Sequence, residues 1–144
     1  MKPYSDDYLK YDDLNGHYRL TEKALTESVG LDLRARIGEG ATVNPDAVIY
    51  RFLQLTSDMV YGFIHEHNIC NRLQDEIIAK TKSGREIIKR AMEYQALYMA
   101  NVGNLSYSVK PEERAVAIDE TCKNILNTTI PEIGVCILYT GRLT

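Results

Sequence analysis

NPDAVIYRFLQLTSDMVYGFI, residues 44–64, is the stretch from which the rest of the chain can be read. Asn44 is a good helix N-cap, Pro45 suits the first helical position, where a missing N–H loses nothing, and Asp46 favours the positive end of the helix dipole. Val48, Phe52, Leu55, Met59 and Phe63 then recur at steps of four, three, four and four, an apolar stripe about four turns long. Ile49, Leu53, Val60 and Ile64 widen it. A helix this apolar is covered on more than one side, either at the centre of a bundle or between a core and a neighbouring subunit. Asn68 is its expected stop.

Downstream, Leu73, Ile77 and Ile78 suggest a short helix over 71–81. Ser83 with Glu86 three residues on has capping-box spacing and opens a helix whose stripe is Ile87, Ile88, Ala91, Met92, Gln95, Tyr98 and Met99, with Gly103 as its stop. After a polar linker over 104–110, Pro111 opens a further helix with Glu112 and Glu113 in its first turn and Ala115, Ile118, Cys122, Ile125 and Leu126 on its buried face. Thr129 and Glu132 repeat the capping-box spacing around Pro131 and predict a last helix, Ile133, Val135, Cys136, Ile137 and Leu138, ended by Gly141. A run this apolar must bury against the chain's own bundle or against another chain.

Upstream, GEGATVN (38–44) reads as a loop, and 21–37 as a short helix capped by Thr21, a break at Gly30 and a second turn. Residues 1–20 sustain no period of two or 3.6, and Pro3 and Asn15-Gly16 break regular structure. The expectation is an all-α fold, a small helical bundle of about four main helices. Its parts are an extended N-terminal arm over 1–20, the bundle over 21–129, and a C-terminal helix and tail over 130–144.

The 144 residues fit one domain, and 44% hydrophobic with 26% charged residues is ordinary for a folded soluble protein. The net charge of −3 argues against free nucleic-acid binding, which rests on a surplus of Lys and Arg. A local basic stretch remains: Arg72, Lys80, Lys82, Arg85, Lys89 and Arg90 against Asp75, Glu76 and Glu86. It reads either as a solvated face or as a docking face for an acidic neighbour. No apolar run approaches the roughly 20 residues that span a bilayer, and MKPYSDDYLKYDD does not resemble a signal peptide, so synthesis and folding in a cytoplasm are expected, with no membrane partner. Cys70, Cys122 and Cys136 are too few and uneven for a disulfide framework. Ten tyrosines against two phenylalanines, with Tyr4, Tyr8, Tyr11 and Tyr18 crowding the start, suit half-wet surfaces and interfaces.

No catalytic constellation emerges. Gly38 and Gly40 lack the spacing of a phosphate-binding loop, and no GxSxG elbow is present. His65, His67 and Cys70, in HEHNIC, are zinc-competent, but histidines two apart on a helix diverge by about 200° and cannot share a metal. Asp6-Asp7, Asp12-Asp13 and Glu112-Glu113 are adjacent and point apart, so they do not form acid/base pairs. Neither enzymatic activity nor a metal or other cofactor is expected.

The order of elements resembles that of the small head–tail connector (adaptor, head-completion) proteins of tailed bacteriophages. LTEKALTESVGLDLRARI (20–37) leads to the N-P-D-capped helix, then to SGREIIKRAMEYQALYMANVGN (83–104) with its YQALYM segment and Asn/Gly stop, and the chain ends LYTGRLT (138–144). The resemblance spans roughly 17–144 and implies a compact helical bundle, made in the host cytoplasm and housed in the virion. In that family about a dozen copies form a ring beneath the portal, and such a heterologous ring needs two different contact faces per protomer. The partners implied are other copies of the chain, the portal protein, the tail or next connector protein, and, in passing, genomic DNA in the channel. Mapped here, Tyr4, Tyr8 and Tyr11 of the arm and Ile137, Leu138, Tyr139, Arg142 and Leu143 of the C-terminal run are the candidate interface. Helix 45–67 and the basic stretch 72–90 are candidates for the two ring faces. The alternative is a small helical regulatory or adaptor protein that binds a protein partner as a monomer or dimer.

Overall fold

A computed structural model describes residues 8–12, 17–37, 45–67, 77–78, 80–101 and 118–138. Its elements are strands β1 (Leu9–Asp12) and β2 (His17–Leu20), a 3-10 helix (Glu22–Thr26), and helices α1 (Ser28–Ile37), α2 (Pro45–His67), α3 (Lys82–Asn101) and α4 (Glu120–Leu126). The fold is mostly helical, but the all-α expectation needs correction, because a two-stranded antiparallel sheet is part of it.

That sheet replaces the expected arm over its described part. Leu9 pairs with Leu20 and Tyr11 with Tyr18, while Lys10 pairs with Arg19 and Asp12 with His17. Alternate residues face opposite sides of a strand, so Leu9, Tyr18 and Leu20 are buried while Lys10 is exposed. Each strand is too short for the alternation to stand out in one window, and the two halves make sense only when paired across Asn15-Gly16. β2 lies on α2, where Leu20 N–H donates to Ser57 Oγ at 3.2 Å, and Ser57 in turn donates to Leu53 O at 2.8 Å. A buried serine in the apolar stripe of α2 is thereby satisfied on both sides.

α2 begins at Pro45 as its sequence predicts, and its buried face takes the whole second set together with Phe52 and Met59 of the first. Ile49, Phe52, Leu53, Thr56, Ser57, Val60, Tyr61 and Ile64 are buried, whereas Val48, Leu55 and Phe63 of the first set are half-buried. The 3-10 helix is capped as expected, with Lys23 N–H donating to Thr21 Oγ1 at 3.3 Å. Gly30 is no break, since α1 runs through it. A Cβ there would lie 2.4 Å from the carbonyl oxygens of Ala24 and Leu25, so glycine is what lets α1 abut the 3-10 helix.

α3 is capped by Thr81 rather than Ser83: Gly84 N–H donates to Thr81 Oγ1 at 3.0 Å, and Thr81 donates to Ile77 O at 2.7 Å. Its inner face carries Ile87, Ile88, Ala91, Met92, Gln95, Ala96 and Met99. α4 starts behind Asp119, whose extended backbone (φ −68°, ψ 150°) marks the N-cap, so a continuous helix from Pro111 to Leu126 is excluded; residues 111–117 lie outside the described residues. Ile118, Cys122 and Leu126 are buried as the spacing predicts.

The expected last helix is a turn. Ile130 and Val135 form an antiparallel bridge, with Ile130 N–H donating to Val135 O at 2.8 Å, and Gly134 sits at φ +72°. Left-handed backbone at Gly134 and the β-branched residues around it explain why a helix does not form here. Ile137 and Leu138 then enter the core.

Candidate functional site

The candidate interface residues fall into two groups. Tyr4, Tyr139, Arg142 and Leu143 lie outside the described residues, as does Arg72 of the basic stretch. The others face inward. Ile137 is 0% and Leu138 5% exposed, which corrects their reading as contact residues for a neighbour: the chain's own core takes them. Tyr8 and Tyr11 are half-buried and pack against the same core. The Tyr11 ring meets Tyr18 edge-on, centroids 5.2 Å apart at 74°.

Tyr8 connects two regions that the sequence presents as separate. Its hydroxyl donates to Glu93 Oε2 at 2.6 Å, and Lys89 Nζ stands 4.0 Å from its ring centroid. Burial, reinforced by the hydrogen bond to Glu93, pushes the Tyr8 hydroxyl well above the ordinary tyrosine range. One member of the basic stretch therefore serves to hold β1 onto α3. Lys80, Lys82 and Arg90 are exposed and Arg85 is half-buried. At the start of α3, Ser83 N–H donates to Glu132 Oε2 at 3.1 Å, so Glu132 caps α3 instead of its own segment. Hydrogen bonds from Ser83, side chain first and backbone second, hold the Glu132 carboxyl below its usual range.

A second polar cluster joins α3 to α4. Tyr94 OH donates to Asp119 Oδ2 at 3.0 Å, and Asp119 N–H donates to the buried Gln95 Oε1 at 3.1 Å. Cys122 is buried and its thiol is pushed up to about 12, chiefly by burial, so it behaves as a core side chain. His65 packs edge-on against Tyr61 with ring centroids 4.9 Å apart. The side chains of His67 and Cys70 lie outside the described residues, among which no group of three His, Cys, Asp or Glu is placed to hold a metal.

A further polar arrangement, among the described residues, lies between the polar face of the hairpin and α2. Arg19 donates through Nε and Nη2 to the two oxygens of Asp58, both at 2.7 Å, and its Nη1 lies 3.1 Å from Asp12. The hydrogen-bonded Asp58 raises the guanidinium pKa further above its ordinary value. Beside this fork opens a cleft of about 380 Å³ walled by Lys10, Tyr11, Leu20, Thr21, Tyr50 and Gln54. Gln54 Nε2 donates to Tyr50 OH at 3.0 Å. The cleft places hydrogen-bond donors around an open volume, and no nucleophile–base pair is among its described lining residues. Its sequence signal was the pairing of YLKYD with HYRL around Asn15-Gly16, which sets Lys10 beside Arg19.

No helix of the described residues is long and apolar enough to cross a membrane. No family model, curated protein or solved structure matches the chain.

Proposed function

We propose that the chain is a structural protein of a tailed-bacteriophage virion, a subunit of a ring of about a dozen copies between portal and tail. In this reading the ring extends the DNA channel and offers a platform for tail attachment. The supporting observation is the ordered pair of long helices: α2 opens on Pro45-Asp46 and packs against α3, which carries the Tyr94–Met99 segment and ends at Asn101. Those elements and boundaries are the ones on which the connector resemblance rests. With Ile137 and Leu138 committed to the core, contact with neighbours passes to Tyr4, Tyr139, Arg142 and Leu143 and to the exposed Lys80, Lys82 and Arg90.

One observation favours the second reading, a monomeric or dimeric adaptor: among the described residues, Leu31 and Ile133 are the large hydrophobics left exposed, so this part of the chain hides its own apolar surface. Light scattering and negative-stain microscopy of the purified chain, alone and with a portal ring, separate the two. Rings, or a monomer that assembles on the portal, support the connector. A lasting monomer or dimer indifferent to portal overturns it and leaves the adaptor.

A further inference from the structure

We propose that the cleft between the hairpin and α2 is a carboxylate-binding site, which takes an acidic side chain of a partner polypeptide between Lys10 and Tyr50. The argument begins with the register of the sheet. Lys10 stands opposite Arg19 on the hairpin face turned away from Leu9 and Leu20. Like charges directly opposite destabilise a strand pair. The fold compensates one of the two: Asp58 and Asp12 hold Arg19. Lys10 is exposed, and among the described residues no carboxylate pairs with it.

The hydrogen-bond inventory points the same way. Arg19 donates two N–H groups to Asp58 and has Nη1 at 3.1 Å from Asp12, and a guanidinium carries about five N–H groups, so donors remain. Tyr50 accepts from Gln54, which leaves its own hydroxyl proton to donate. Lys10 adds an ammonium. These donors surround a volume of about 380 Å³, within the range that admits small ligands and side chains. A surplus of donors calls for an acceptor, and the uncompensated lysine calls for a negative one.

Charge selects the class of anion. Three formal charges line the cleft, Lys10, Arg19 and Asp12, a net of +1, and Asp58 holds Arg19 from outside the lining. A singly charged planar carboxylate can bridge Lys10 and Tyr50 away from the aspartates. A dianionic phosphate brings twice the repulsion against Asp12 and Asp58 and gains no second free cation. The proposal goes beyond the ring reading and holds for the isolated chain, whether or not it assembles.

The test is a two-dimensional NMR titration of the full chain with acetyl-glutamate amide, with acetyl-glutamine amide, sodium phosphate and sodium chloride as comparisons. The expected result is a saturable shift confined to Lys10, Arg19, Tyr50 and Gln54 with the glutamate probe, absent with the glutamine probe. Lys10→Ala and Tyr50→Phe, both conservative for folding, should each weaken binding about threefold or more, while Arg19 is left intact because it also holds the hairpin. Equal shifts with the glutamine probe or with chloride, tighter binding of phosphate, no saturable shift up to about 100 mM, or indifference to both substitutions would each overturn the assignment.

Discussion

Asp58 presents both oxygens to Arg19, and the two side chains are only 14% and 22% exposed, so this fork sits where solvent screening is incomplete. Asp58→Asn keeps the volume but removes the charge and half of the fork, leaving a half-buried guanidinium beside Lys10. The expected loss is about 1–3 kcal/mol, read from the urea midpoint. Asp12→Asn removes a single, longer contact and should cost below about 1 kcal/mol; equal losses at the two positions would mean that the fork contributes nothing beyond proximity. Tyr8 supplies a pH dependence of known sign. Its hydroxyl is harder to ionise in the folded chain than in the unfolded one, whose tyrosines titrate near 10.0. The unfolded state therefore loses this proton first as pH rises, and stability falls. The Tyr8 contribution is intact below about pH 10 and declines above it. Comparing urea midpoints of the wild type and Tyr8→Phe at pH 8 and at pH 11 isolates it: the wild-type advantage should shrink at the higher pH. A constant difference would contradict the half-buried hydrogen bond to Glu93.

At the scale of elements, two glycines in similar helices make opposite predictions. A Cβ at Gly62, within α2, would meet nothing within 4 Å, so Gly62→Ala should stabilise by about 0.5–1 kcal/mol through helix propensity and a less flexible unfolded chain. A Cβ at Gly84 would lie 2.3 Å from Thr81 Oγ1, the atom that caps α3, and 3.0 Å from Ile77 O. Gly84→Ala should therefore cost about 1–3 kcal/mol, and thermal melts of the pair should move in opposite directions. The same contrast marks the reach of the sequence. α2 and α3 were legible because their apolar residues repeat over many turns and because Pro45 fixes one boundary. What escaped depended on partners distant in the chain. Glu132 has the spacing to cap its own segment but caps α3, 49 residues away in sequence, because the turn at Gly134 carries it there. The hairpin shows its alternation only once Leu9 is set against Leu20, and the cleft exists only once that sheet lies on α2.

For the molecule as a whole, both ends of the described chain close on α3. Tyr8 reaches Glu93 and Lys89, and Glu132 reaches Ser83. Between them the core runs unbroken from Leu9 to Leu138. The apolar run near the C-terminus had two possible destinations, and burial of Ile137 and Leu138 assigns its described part to this chain. That changes what shortening the chain should do. Ile137→Ala removes a fully buried side chain and should cost about 2–5 kcal/mol. Typical domains are stable by only about 5–15 kcal/mol, so this is a large share of the whole. Deleting residues 133–144 also removes Leu138 and the Ile130–Val135 bridge, and should leave a chain without cooperative unfolding at room temperature. Stopping instead after Leu138 retains every buried residue described near this end and separates assembly from folding. If the 133–144 deletion unfolds with an unchanged urea midpoint by circular dichroism, the run is not core, and the outward-facing reading of Ile137 and Leu138 returns. If the midpoint collapses while the shorter deletion abolishes only assembly on portal, folding ends at Leu138 and contact with neighbours begins beyond it.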